Sequence, residues 1–319
     1  MPTAVSTDSA KRALLERLID DAGLFPPAEL PMRAAIRAHA RHRESAYSWV
    51  AGRFVVPASR LDEFAAAITA ADGPFELSVV LDSGASGAKG DTVRADLHRI
   101  DRIAGVDGVT VASLEARLPN FTLKDDTMHQ IVADIVSRYP SAPIAFFYES
   151  SYSAGWTSAP DEWLTVLASA RTSAPANVTI GAKVRCGGAV PGATPSVPDL
   201  ASFITAAHAH DVPWKATAGL HHPVRAEAGV EGGVVPHGFL NVFIAGAALH
   251  AGAIAAERVT DVLGETDPRA FVVDPMHVGW REIRLEAEQV AAARERCVAF
   301  GSCSFDEPVN DLRELGILL

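Results

Sequence analysis

Two lysines lie inside apolar runs that read as buried strands. Lys183 falls in Thr179-Ile-Gly-Ala-Lys-Val-Arg-Cys-Gly-Gly188 and Lys215 in Val212-Pro-Trp-Lys-Ala-Thr-Ala-Gly-Leu-His-His-Pro223. Lysine is among the residues least often fully buried, so a strand that carries one inward usually has a use for it. Two ammonium groups in one cavity repel, and burial also disfavours charge, so one lysine pKa is expected to fall. A neutral lysine attacks carbonyl carbons and forms a Schiff base. The second lysine, Glu149 or Glu115 would then move protons. Arg185 offers a bidentate grip on a carboxylate or phosphate.

Alternation along a strand sorts these side chains by face. Lys183 and Arg185 share a face with Thr179 and Gly181, and Lys215 with Thr217. The same parity groups Asp82 with Ser78 and Val80, Glu149 with Ala145 and Phe147, and Asn241 with Phe239 and Phe243. Glu115 falls with Ser113, and Arg53 with Val55. All but Arg53 lie near the C-terminal ends of their strands, where barrel enzymes carry their sites. The expected catalytic set is Lys183, Lys215, Glu149 and Glu115. The expected substrate contacts are Arg185, Asp82, Arg53, His221, His222 and Asn241. Buried charges must be paired, and carboxylates and cations balance in this ring.

The elements that would position them recur at a nearly constant interval. Apolar runs at 52–57, 75–82, 109–115, 143–149, 178–186, 212–219 and 238–244 start about 25 to 35 residues apart, the length of a strand, a helix and two loops. Helix-like stripes lie between them, at 59–68, 127–139, 161–170 and 199–210. An eighth strand is expected at 15–20. Alternating units of this kind give a parallel sheet with helices on its faces. Eight of them close into an α/β (β/α)8 TIM barrel, expected over residues 1–265. An open doubly wound sheet is the runner-up, but no Gly-x-Gly-x-x-Gly turn follows an early strand. Residues 266–319 read as a C-terminal extension: an extended or hairpin piece at 271–280, a helix at 285–300, a tight turn at 301–308 and a short last helix. It is expected to pack on the barrel or on a neighbouring subunit, which makes a homo-oligomer the expected state.

The chain has 319 residues, a formal net charge of −11 and three cysteines. An acidic balance argues against nucleic acid as a partner. Three scattered cysteines give no disulfide framework and no Cys-x-x-Cys zinc pair. No apolar leader is visible and the apolar run at 238–256 is too interrupted for a membrane span, so a cytoplasmic protein with a small-molecule substrate is expected. The glycine-rich stretch at 84–90 reads as a flexible loop, with anion binding through its amides as the lesser reading. The Pro/Gly stretch at 187–198 reads as a lid or binding loop. Cys186 reads as a small buried cysteine, and Cys303 as part of a hydrogen-bonded turn with Ser302 and Ser304. No cofactor is expected. The alternative is a divalent metal such as Zn or Mg held by Glu115 or Glu149 with His221, His222 or His237, but those histidines lack the i, i+4 spacing of a helical zinc site.

Lysines on adjacent late strands, each followed by small and glycine residues, resemble the class I aldolases of the deoxyribose-phosphate aldolase type. That resemblance implies a metal-free (β/α)8 barrel, a Schiff-base lysine matching Lys183 and a helper lysine matching Lys215. His221-His222-Pro223 stands where that family has a glycine-rich phosphate loop. The strings Asp21-Ala-Gly-Leu-Phe-Pro-Pro27, Lys215-Ala-Thr-Ala-Gly-Leu-His-His-Pro223 and Gly301-Ser-Cys-Ser-Phe-Asp-Glu-Pro308 also resemble those of a bacterial family with no assigned activity. The sequence therefore points to a lyase of aldolase type on a small polar, anionic carbonyl compound. A metal-dependent barrel lyase, isomerase or hydrolase and a non-catalytic binding or assembly protein are the alternatives.

Overall fold

A computed structural model describes residues 9–82, 90–117, 130, 133–134, 137–138, 143–149, 160–188, 193–227 and 235–319. The glycine-rich stretch at 84–89 and most of the expected helix at 127–139 lie outside them.

Eight parallel strands close into a barrel. They are β1 (Ile19–Asp21), β2 (Ala51–Pro57), β3 (Phe75–Val80), β4 (Val109–Arg117), β5 (Ile144–Glu149), β6 (Val178–Arg185), β7 (Trp214–Thr217) and, after a separate antiparallel hairpin of β8 (Phe271–Val273) and β9 (Val278–Trp280), β10 (Cys297–Ser302). The order around the barrel is β1-β10-β7-β6-β5-β4-β3-β2. Helices follow most strands, as the alternation requires, among them Met32–Glu44, Leu61–Ala67, Gly90–Ala104, Pro160–Ser173 and Val197–Ala209. The last of these starts in a capping box, with the side chains of Ser196 and Asp199 exchanging bonds with each other's backbone N–H.

Strand faces follow the expected parity. Ile180, Ala182 and Val184 of β6 are buried, as are Trp214 and Ala216 of β7. Burying a large apolar side chain contributes about 1.5–3 kcal/mol. From the helices outside, Phe203 meets Trp214 edge-to-face and Phe243 packs against it with its ring tilted.

Three expected elements differ. The run at 238–244 is not a strand but the start of the helix Phe239–His250, whose residues are buried on every side as far as Leu249. A helix with no polar face has no stripe, and a short apolar run of that kind reads equally well as a buried strand. Gly246 lets this helix settle onto the barrel, since a Cβ there would come within 2.6 Å of Cys297 Sγ. The expected helix at 285–300 stops at Arg294, and the residues after it form the barrel strand β10. The barrel thus closes with a strand from the segment expected to be an extension. The Arg294 guanidinium, fully buried, donates to the carbonyls of Leu14, Cys297 and Val298 and so ties β10 to the end of the helix Ala10–Leu15. Burial brings its pKa down to about 10. The expected strand at 15–20 is shorter, Ile19–Asp21, with Leu15 ending a helix. The hairpin at 271–280 and the last helix, Asp306–Glu314, lie where expected. Among the described residues no helix is long and apolar enough to cross a membrane.

Candidate active site

The inward faces of β1, β4, β5, β6 and β7 assemble a ladder of alternating charge. Arg185 Nε lies 3.0 Å from Glu149 Oε1, and Lys183 Nζ lies 3.0 Å from Glu149 Oε2. Lys183 Nζ also lies 2.8 Å from Glu115 Oε2. The other oxygen of Glu115 receives Lys215 Nζ at 2.5 Å, and Lys215 Nζ reaches Asp20 Oδ2 at 2.6 Å. Strand register explains the upper rungs: Glu149, Lys183 and Lys215 are direct neighbours across β5, β6 and β7. The ladder also has a direction. Side-chain exposure falls from 30% at Arg185 to 7% at Lys183 and 1% at Lys215 and Asp20. Arg185 and Lys183 therefore face the opening, and Lys215 and Asp20 form the buried end.

Neutral groups complete the coordination. Ser78 Oγ donates to Glu115 Oε1 at 2.5 Å and meets Ser113 Oγ at 2.5 Å. The backbone N–H of Arg53 donates to Asp20 Oδ1 at 2.8 Å. Lys215 Nζ sits 5.7 Å from the centre of the Phe147 ring, close enough for a cation–π contact.

Burial raises the carboxyl pKa of Glu115, but the two lysine charges outweigh it and hold the group far below the usual carboxylate range. Glu149 is lowered in the same way, burial being overcome by Lys183 and Arg185. For Lys183 the burial that favours the neutral amine is overcome by Glu115 and Glu149, so its pKa is raised. For Lys183 this runs against the expectation of an amine driven neutral by its neighbour: a carboxylate lies between the two Nζ atoms.

Of the expected site residues, Lys183, Lys215, Glu149, Glu115 and Arg185 come together. Five do not join them. Asp82 lies just past β3 and accepts a bond from the Ser59 backbone N–H. Asn241 is on a helix, where Oδ1 accepts from the Arg225 N–H and Nδ2 donates to the carbonyls of Val262 and Glu265. Arg53 points to the other end of the barrel, where its Nε lies 3.4 Å from Glu76 Oε1. His221 and His222 pair through Nδ1 with Glu307 and Asp311 of the last helix. His237, buried, donates from Nε2 to the Pro195 carbonyl and is brought down to about 4, chiefly by burial. Among the described residues no group of three or more His, Cys, Asp or Glu side chains is placed to hold a metal ion.

Sequence reasoning left Asp20 out of the ring. A three-residue strand shows no alternation, so the sequence there does not separate Asp20 from its neighbour Asp21. Asp21 in fact points outward, to Nδ1 of His42 at 2.8 Å and of His39 at 3.3 Å on the Met32–Glu44 helix. Gly52 was a usable signal: a Cβ there would come within 2.3 Å of Asp20 Oδ1, so only glycine leaves room for that carboxylate.

A cavity of about 500 Å³ occupies the opposite, N-terminal half of the barrel, lined by Arg17, Arg43, Arg53, Thr110 and Thr179. Phe147 lines it too and separates it from the ladder. Its size does not make it the chemical site, because the paired, desolvated charges lie on the other side of Phe147.

Comparison with known protein families, with curated proteins and with solved structures finds no match for this chain. The likeness to class I aldolases rests on the lysine-bearing strings alone.

Proposed function

We propose that this barrel is an enzyme for a small anionic carbonyl compound, working through an imine on Lys183 in lyase chemistry of the aldolase type. The observation that supports this most is the arrangement Arg185–Glu149–Lys183 at the open end of the ladder: an anion clamp, a proton acceptor and a nucleophile in direct contact. At rest Glu149 is too weak a base to deprotonate Lys183, because Arg185 and Lys183 both hold its pKa down. A substrate carboxylate or phosphate that pairs with Arg185 draws that cation away from Glu149. The basicity of Glu149 then rises, and it takes the Lys183 proton. The free amine adds to the substrate carbonyl and water leaves, giving an imine that accepts electrons when the adjacent carbon–carbon bond breaks. Lys215 stays buried, paired with Asp20, and its charge helps keep Glu115 ionised.

Borohydride reduction in the presence of glycolaldehyde or pyruvate tests this reading. The expected result is a covalent adduct on the Lys183 peptide, absent from Lys183→Met. No adduct with any small aldehyde or keto acid overturns it.

The raised Lys183 pKa favours a second reading. Lys183 stays an ammonium, polarises the carbonyl, and Glu149 removes a proton from the adjacent carbon. That reading gives solvent-deuterium exchange into the substrate without a borohydride adduct. A metal-dependent reaction draws on Glu115 and Glu149, whose oxygens are engaged here by lysines. A barrel that only binds its ligand gives neither adduct nor exchange.

A further inference from the structure

The cavity in the N-terminal half of the barrel has a sequence basis. Barrel interiors are ordinarily filled by bulky branched side chains. Here Ala51, Gly52, Ala112 and Ala145 line the wall and leave about 500 Å³. The register of β4 against β3 slips at Ala112, since Leu77 faces Val111 and Ser78 faces Ser113. An extra residue in one strand changes the parity beyond it. β4 therefore sends Thr110 and Ala112 into the cavity, and Ser113 and Glu115 into the ladder.

Three guanidiniums converge on the start of β3. Arg43 Nη1 donates to the Pro74 carbonyl, Arg17 Nη2 lies 2.5 Å from Glu76 Oε2, and Arg53 Nε lies 3.4 Å from Glu76 Oε1. Glu76 is thus shared by two cations, and among the described residues Arg43 meets no carboxylate. Glu295 lines the cavity too, but it is exposed and lies 3.9 Å from Arg296 Nη1. His39 is there as well, with its Nδ1 held by Asp21. Three guanidiniums against the one carboxylate of Glu76 leave a surplus of two positive charges. The Arg53 side chain is only 14% exposed, and its Nε is buried without a hydrogen-bond acceptor, its approach to Glu76 being an ion pair alone. Buried donors are nearly always satisfied, so this one marks a place for an acceptor. Thr110 and Thr179 add hydroxyls that make no hydrogen bond among the described residues. Phe75, Ile144 and Phe147 give the same cavity apolar surface.

We propose that this cavity binds the phosphate monoester of a small organic molecule, with the phosphate on Arg17, Arg43 and Arg53 and the organic body against Ile144 and Phe147. A phosphate monoester carries close to two negative charges at neutral pH, which matches the surplus. Guanidinium N–H groups suit phosphate oxygens in geometry and charge. The cavity falls in the size range of small-molecule sites, about 300–1,000 Å³, with much apolar wall and a few convergent polar groups. A bare phosphate would leave that wall without a partner. The site is separate from the ladder, on the other side of the Phe147 ring.

Isothermal titration calorimetry on the full-length Arg185→Met protein tests the proposal, since that substitution removes the anion clamp at the opposite end of the barrel. Glycerol 3-phosphate and adenosine monophosphate are the probes, with glycerol, adenosine and inorganic phosphate as controls. At least one monoester should bind, one per chain. Its unphosphorylated parent and inorganic phosphate should each bind at least about 10-fold more weakly, the worth of a hydrogen bond to a charged group. In the same background Arg43→Met should weaken the monoester by about 10-fold or more. Ala145→Leu keeps every arginine and fills the cavity, so it should abolish binding. The proposal is overturned if neither monoester binds, if a control binds as tightly as the monoesters, or if either variant, folded by circular dichroism, binds as the parent protein does. Neither probe has a carbonyl group that could form an imine, so the result is independent of the chemistry at Lys183.

Discussion

Lys183 Nζ and Lys215 Nζ rest on opposite oxygens of one carboxylate, 2.8 Å from Oε2 and 2.5 Å from Oε1 of Glu115. Glu115 is therefore the centre of the site: it cancels the repulsion between two cations on neighbouring strands and receives a third bond from Ser78.

Glu115→Gln should accordingly be the most damaging substitution in the ladder. It removes the shared anion and leaves two buried ammonium groups, and breaking a buried pair in this way costs about 3–5 kcal/mol. Chemical denaturation followed by circular dichroism measures that loss. In the folded fraction Lys183 loses one of the two anions that raise its pKa, so borohydride trapping should extend to lower pH than in the wild type.

Glu149→Gln should behave differently, because Lys183 keeps Glu115 and Arg185 is open to solvent. Its stability loss should be smaller than that of Glu115→Gln. The chemistry should suffer more, since the proposed proton acceptor for Lys183 is gone, and a positioned general base typically contributes about 10²–10⁴-fold. Comparing the initial rates of borohydride trapping in the two variants, each normalised to its folded fraction, separates the roles. Equal trapping rates in wild type and Glu149→Gln would remove Glu149 from the mechanism.

The outward-facing Asp21 supplies a stability switch in acid. Burial raises its carboxyl pKa, but hydrogen bonds from His39 and His42 more than offset this and bring it down to about 2, against 3.8 in the unfolded chain. A depressed carboxylate pKa stabilises the fold above the unfolded value, and that contribution is lost as pH falls through the folded one. It amounts to about 2 kcal/mol at neutral pH and should fade between about pH 4 and pH 2. Urea denaturation of wild type and Asp21→Asn at stepped pH should show the two curves converging over that range. Curves that stay parallel from pH 5 to pH 2 would show that Asp21 does not carry this pairing.

The parts of this arrangement that were legible in the sequence share one physical feature, a long strand with period-two alternation. Glu149 and Lys183 end well-patterned runs, so parity put them inside the barrel, and register then made them neighbours. Where the pattern is short or saturated the sequence is silent. Asp20 sits in a strand of three residues, and Asn241 lies in a helix apolar on every side, so its parity as a strand residue had no meaning. Arg53 did alternate correctly, but parity gives a face and not a depth, and its side chain turns to the N-terminal end. His221 and Glu307 come from a connection and a helix far apart in sequence, and no local spacing signals their pairing.

Gly52 tests whether Asp20 belongs to the ladder as the geometry implies. A Cβ at position 52 would come within 2.3 Å of Asp20 Oδ1 and 3.1 Å of the Ile19 carbonyl, so Gly52→Ala must push the carboxylate aside. Lys215 would then lose one of its two anions while remaining buried, and the Arg53 N–H would lose its acceptor. An unpaired buried donor costs about 1–3 kcal/mol and a disturbed buried ion pair more, so a loss of at least about 3 kcal/mol is expected for one added methyl group. Gly264→Ala is the control, since a Cβ there meets nothing within 4 Å and replaces glycine at a helix end. Denaturation midpoints of the two variants should lie far apart. Similar midpoints would mean that Asp20 has room to move, and that the buried end of the ladder is not anchored by it.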